Sequence, residues 1–245
     1  MSIFKYKAFN ERKDKIFQEE SHLYGEFGWE DKLNLCGFGV LLLSCLLLKY
    51  QPQEPLKITM LDVGQGDGIV IEESNAGVYL VDGGSSDVKQ VGKYRILPFL
   101  KAEGISKIQG IFISHMDSDH ISGIKELLES HSQGEIEIKQ VYLPNIEGKD
   151  EAYLGMEEKI KEQNIGITYL SRGMQLKQQG LEIELLQPVS KGLYQERNEY
   201  SMVFRLVYQD FSMLFTGDTE GEGEHEVTKR LQELGVYGVT ALKVS

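Results

Sequence analysis

Residues 109–124 read Gln-Gly-Ile-Phe-Ile-Ser-His-Met-Asp-Ser-Asp-His-Ile-Ser-Gly-Ile, and the reading of this stretch decides the fold. An apolar run, Ile111, Phe112 and Ile113, predicts a buried strand that stops at His115. Asp117, Asp119 and His120 follow at once, and then Ile121, Ile124, Leu127 and Leu128 recur at the spacing of one buried helix face. Four ligand-type side chains in a loop between a buried strand and a helix are a costly arrangement unless a cation sits among them and removes the repulsion between the carboxylates. Imidazole together with carboxylate suits Zn²⁺, Mn²⁺ or Fe. The competing reading is a solvated Asp/Ser turn that caps the helix. Two of the chain's five histidines fall in this loop, which weighs against that reading.

Other strand ends add carboxylates. Met213-Leu-Phe-Thr216 predicts a strand ending in Gly217-Asp218, which places Asp218 to reach a site shared with the 115–120 loop. Val78–Val81 predicts a strand ending in Asp82-Gly-Gly84. Upstream, Leu61-Asp-Val-Gly-Gln-Gly-Asp67 is a glycine-rich loop carrying Asp62, Gln65 and Asp67 between two predicted strands. Its backbone N–H groups could approach an anion, and a tight hairpin explains it equally well. Asn198-Glu-Tyr-Ser201 precedes another predicted strand, where Asn198 and Ser201 either line a cleft or make a strand-entry turn. His131 and His225 fall on helix surfaces, and His22 lies far upstream.

The spacing His-x-Asp-x-Asp-His after an apolar strand resembles the metal-binding signature of the metallo-β-lactamase superfamily, with Asp117 where a second histidine is commoner. Together with the 61–67 loop, this variant resembles the C-terminal domain of ComEC-type competence proteins, the channels of bacterial DNA uptake. The resemblance covers roughly residues 33–245 and implies a metallo-β-lactamase-like αββα sandwich. It implies that His115, Asp117, Asp119, His120 and Asp218 bind one or two divalent ions, Zn or Mn, with Asp218 as the bridging carboxylate. Asp82 would then support the metal loop by accepting a histidine N–H. No histidine occurs where the third ligand of the first metal would fall, so Mn²⁺ and Mg²⁺ compete with zinc. In the family a strand like Leu242-Lys-Val-Ser245 runs on into His-His-Gly-Ser, so the sequence reads as a fragment, incomplete at the C-terminus and shortened at the N-terminus too.

At 245 residues with 41% apolar side chains, the chain can bury a sizeable core. A formal charge of −12 does not suit gripping nucleic acid by a basic face, so cationic contacts to phosphate must come from metal ions or a partner domain. The two cysteines, Cys36 and Cys45, point to opposite sides of a helix, which excludes a disulfide framework and a thiolate metal site. Residues 1–32 are polar and hold six Lys/Arg. Residues 33–49 predict a membrane helix in which sixteen uncharged residues are closed by Lys49, 50–56 a linker, and 57–245 the metallo-β-lactamase-like domain. The positive-inside rule puts the large domain outside the cytoplasm.

By resemblance, the expected activity is metal-assisted hydrolysis of single-stranded DNA during transformation, in a membrane-anchored protein beside the rest of a ComEC-type channel. Asp119 is expected to orient the nucleophile and accept its proton. Two other readings compete: a soluble hydrolase of a small ester, and a non-catalytic docking domain of the uptake channel.

Overall fold

The computed structural model describes residues 29–49, 55–189, 194 and 196–244. Most of the 1–32 segment, His22 included, and most of the 50–56 linker lie outside the described residues. The chain divides into two units, Met1–Gln53 and Glu54–Ser245.

In the first unit the uncharged run forms helix α1, Trp29–Lys49, starting before the predicted Leu33. Leu33, Leu35, Phe38, Leu41, Leu43 and Leu47 are exposed along it. Among the described residues, however, no helix is long and apolar enough to cross a membrane. The membrane span expected over 33–49 is thus not confirmed.

In the second unit, strand alternation builds the layers. One sheet has the order β1 (Leu56–Met60), β2 (Ile69–Glu73), β3 (Gly77–Val81), β5 (Gly110–Phe112), β7 (Gln140–Pro144) and β8 (Gly166–Leu170). It is antiparallel across β1–β3 and parallel from β3 to β8. Odd and even residues face opposite ways along each strand. Val70, Leu80, Ile111 and Val141 join one buried cluster, together with residues of helices α2 (Leu97–Ala102), α3 (Ser118–Ser132) and α4 (Glu151–Glu162). Ile71, Tyr79 and Phe112 face the second sheet. That sheet has the order β13 (Ala241–Lys243), β12 (Phe211–Phe215), β11 (Val203–Tyr208), β10 (Leu181–Gln187) and β9 (Gln175–Gln178), and it is antiparallel except for the parallel β12–β13 pair. Short β4 (Lys107–Ile108) and β6 (Glu137–Ile138) pair separately.

Between the sheets, Phe112 stacks on Tyr142 at 4.5 Å and meets Phe204 at 5.1 Å, and Phe204 stacks on Phe215 at 4.7 Å. The outer face of the second sheet packs Leu186, Val203 and Leu214 against Val227 of helix α5 (Glu222–Glu233). The result is the expected αββα sandwich. A π-helical turn, Gly92–Ile96, runs directly into α2. A Cβ on Gly92 would lie 2.4 Å from the Gly123 carbonyl oxygen, so the glycine lets this turn approach α3 closely.

The feature that positions the site is polarity. Strands β3 and β5 are parallel neighbours in one sheet, and β12 and β13 in the other. Their carboxyl ends are followed by Asp82, His115, Asp218 and Val244. A backbone hydrogen bond from Met202 N–H to Ser114 O, at 2.8 Å, ties the two sheets together beside the site.

Candidate metal centre

Three backbone segments meet at the amino end of α3. A Cβ on Gly84 would lie 2.3 Å from the carbonyl carbon of Asp119 and 2.4 Å from the nitrogen of His120, and one on Gly66 would lie 2.5 Å from both Asp119 O and Gly84 O. The contacts are hydrogen-bonded: Asp67 N–H donates to Asp119 O at 3.1 Å, Gly84 N–H to Asp67 O at 2.9 Å, and Gly83 N–H to His120 O at 2.8 Å. Gly66 of the 61–67 loop therefore serves a close approach of protein backbone to protein backbone. Asp82 takes a left-handed φ of 53°, a conformation that Asp tolerates better than most residues. Its side chain is thereby turned to accept from Ser114 N–H at 2.8 Å.

Both histidines of the loop are buried, their ring centroids 4.1 Å apart. His120 Nδ1 lies 3.0 Å from Asp82 Oδ2. A carboxylate only accepts, so Nδ1 carries the hydrogen and Nε2 turns toward Asp218 Oδ2, 3.2 Å away. Burial pulls His120 down, but Asp82 and Asp218 outweigh it and push the imidazole up to about 10. The hydrogen bond with His120 in turn draws Asp218 down to about 2, against the opposing effect of its burial. Burial would raise Asp82, yet the facing His120 holds it below the ordinary carboxylate range. His115 is held low, first by burial and then by the neighbouring His120 charge. His115 Nδ1 is 2.9 Å from Ser114 Oγ and 3.4 Å from Ser201 Oγ. With Nδ1–H donated to Ser114, Nε2 keeps its lone pair, and that atom is buried without a hydrogen-bond partner.

Donor atoms of His115, His120 and Asp218 lie within 4.8 Å of one another, as do those of Asp67, Asp82 and His120. Two imidazoles and a carboxylate converge on one point, and one imidazole nitrogen is spent on nothing in the fold. This donor set fits a divalent ion.

Asp117 Oδ2 stands 3.5 Å from His115 Nε2, while its other oxygen accepts from Arg197 at 2.6 Å. Arg197 also binds Asp150, the residue that caps α4. Asp119 lies in the first turn of α3, half-buried, its carboxylate unbonded among the described residues and outside both donor groups. Asp62 is at the surface, paired with Arg95 at 3.2 Å. Gln65 acts through its backbone, its N–H donating to Asp87. Asn198 donates to Glu220 at 3.0 Å. His131 accepts from Ile138 N–H away from the site, and His225 is exposed on α5.

Sequence reasoning missed three participants: Ser114, Arg197 and Lys243. Lys243 Nζ binds Asp67, lies 3.6 Å from Asp218 Oδ1 and donates to Gly217 O at 3.2 Å. A lysine in a short strand paired with the buried β12 was the available signal, because a buried ammonium needs acidic company.

Because Asp82 fixes the His120 ring, Asp82→Asn is expected to weaken divalent-ion binding by about 10- to 100-fold with the chain still folded, as read by calorimetric titration. Unchanged affinity would remove Asp82 from this role.

Comparison with known proteins places these features. The family described as the metallo-beta-lactamase superfamily matches residues 61–242. ComE operon protein 3 of Bacillus subtilis (strain 168) is 30% identical over 187 residues, covering 70% of this chain and 23% of that protein. Recombination protein 2 of Haemophilus influenzae is 27% identical over 206 residues, covering 83% of this chain and 24% of that protein. The chain thus spans about a quarter of the length of these curated relatives. Among solved structures, the metallo-beta-lactamase fold protein YhfI of Bacillus subtilis aligns with a TM-score of 0.48 and 16% identity, over 69% of this chain and 64% of that one.

Proposed function

The chain belongs to the metallo-β-lactamase superfamily, and from that premise we propose that its site is a divalent-metal centre that hydrolyses DNA phosphodiester bonds during competence. The observation that carries this reading is the buried, unpartnered Nε2 of His115, facing the donors of His120 and Asp218. The similarity to ComE operon protein 3, Recombination protein 2 and Competence protein ComA supports a setting in competence, and DNA as the substrate is this proposal's own step.

In this reading His115, His120 and Asp218 hold the ion, with Asp117 beside them. When bound, a divalent ion activates water near neutral pH and neutralises charge that develops on phosphate oxygens. Asp82 fixes the ring of His120, and Ser114 that of His115. Asp119, with an unbonded carboxylate next to the ligands in sequence, accepts the proton of the attacking water. Asp117, Asp150, Glu196, Arg197, Asn198 and Glu220 line a cavity of about 390 Å³ at the edge of the site. Arg197 is the cation in that lining, and its charge is taken up by Asp117 and Asp150. The chain's net charge of −12 and the carboxylates of this lining repel DNA, so in this reading the cationic contact to phosphate comes from the divalent ion or a partner domain.

Attachment to the cell membrane, with the domain on the extracytoplasmic side of a ComEC-type channel, belongs to the same reading. The competence relatives and the exposed apolar residues of α1 support it.

Incubation of the chain with labelled single-stranded DNA and Mn²⁺ tests the activity. The expected result is cleavage that stops with a chelator and returns with added Mn²⁺. Intact DNA under every divalent ion tried, with turnover of a small ester instead, would overturn the phosphodiesterase reading.

A further inference from the structure

Lys243 is the only lysine or arginine that is buried among the described residues, at 6% exposure, and the mechanism above leaves it unused. Its position is specified by the fold. The parallel pairing of β13 with β12 sets Lys243 opposite Phe215, one strand end away from the turn Thr216-Gly-Asp218. The left-handed Gly217 packs that turn against Ser114, where a Cβ would come within 2.9 Å of the serine Cβ. Gly217 O and Asp218 therefore face the ammonium from one side, and Asp67, delivered by the glycine loop, faces it from the other.

The ammonium is bound by Asp67 and Gly217 O, with Asp218 Oδ1 as an ion-pair neighbour at 3.6 Å. Its burial, at 6% exposure, keeps it out of reach of a substrate phosphate. The acidic cluster is also asymmetric. Asp218 is shared, with Oδ2 on His120 and Oδ1 toward Lys243. Asp67 lies 3.6 Å from His120 Nδ1, on the side of that ring bound to Asp82 rather than the Nε2 side. Two groups of cation-binding donors thus meet at His120, and one of them already contains a positive charge of the protein's own.

Building on the metal-centre reading, we infer that the Lys243 ammonium is a built-in second cation, which neutralises Asp67 and Asp218 and restricts the centre to a single divalent ion on the His115 side. A second ion taken up at Asp67 would stand beside a fixed positive charge in a water-poor pocket, where Coulomb repulsion is poorly screened. Lys243 is a positioning residue in this scheme. It sets the ion count and holds Asp218 in place without touching substrate.

The test is Mn²⁺ titration followed by electron paramagnetic resonance, which counts bound ions and shows whether two are close enough to couple. The chain should bind one Mn²⁺ per molecule with an uncoupled spectrum. Lys243→Met keeps the apolar stem and removes the charge, and it should raise the count from one to two with a spin-coupled signal. Adding Asp67→Asn to Lys243→Met should return the count to one. Two coupled ions in the unaltered chain, or one ion in folded Lys243→Met, would overturn the inference while leaving the metal-centre reading intact. No bound Mn²⁺ in the unaltered chain would defeat that reading itself. The measurement on the unaltered chain decides the matter even where Lys243→Met does not fold.

Discussion

His115→Ala is expected to lower metal-dependent cleavage by about 10³-fold or more, equivalent to about 4 kcal/mol of barrier, while the chain stays folded. The argument rests on what His115 does for the fold. Its Nε2 is buried and bonded to nothing, and its Nδ1 meets only the hydroxyls of Ser114 and Ser201. Removing the ring strands no charge, so the stability cost reduces to the cavity left behind, about 1 to 3 kcal/mol. His120→Ala makes the contrast. It leaves the buried Asp82 carboxylate without its partner, and breaking a buried pair from one side costs about 3 to 5 kcal/mol. Thermal unfolding by circular dichroism, run beside single-turnover cleavage, separates the two effects. Cleavage by His115→Ala within tenfold of the unaltered chain would remove this residue from the ion's ligand set.

The second large effect concerns stability. Gly84→Ala is expected to cost about 3 kcal/mol, because the added methyl would sit 2.3 to 2.5 Å from the Asp119 carbonyl group and the His120 nitrogen. These are backbone atoms at the start of α3, and no rotamer change relieves the contact. Either the Asp-Gly-Gly turn or the helix must move, and the Gly83 N–H bond to His120 O moves with it. Gly155→Ala provides the control. It lies within α4 with nothing within 4 Å of its added Cβ, and should gain about 0.5 to 1 kcal/mol from helix propensity. Denaturant midpoints for the pair should move in opposite directions. A Gly84→Ala midpoint within error of the unaltered chain would show that the junction gives way easily.

Much of this fold is legible in the sequence because its strands alternate cleanly. Val70, Leu80 and Ile111 fall on one face, with Ile71, Tyr79 and Phe112 on the other, so period-two patterning yields both layers. The 115–120 loop and Asp218 are legible for a related reason: polar residues that abruptly end an apolar strand stand out. What the sequence conceals depends on neighbours remote in the chain. Asp67 reads as part of a turn, and only the packing of Gly66 and Gly84 on α3 brings it beside His120. Lys243 reads as an ordinary strand-end lysine until β13 is paired with β12. Arg197 lies outside every motif, yet it holds Asp117 and Asp150 together. The π-turn before α2 is equally hidden, since the close contact between Gly92 and Gly123 that accompanies it has no local signature.

The hydrogen bond from Met202 to Ser114 joins two sheets whose contributions to the site are separated by about a hundred residues of chain. On a ribosome, the segment carrying both histidines emerges well before Asp218, and its own sheet can collapse first. A nascent chain at that stage holds imidazoles and carboxylates but no closed trap for an ion. Closure of the His115, His120 and Asp218 donor group is thus a late event in biogenesis, set by the docking of one leaf upon the other.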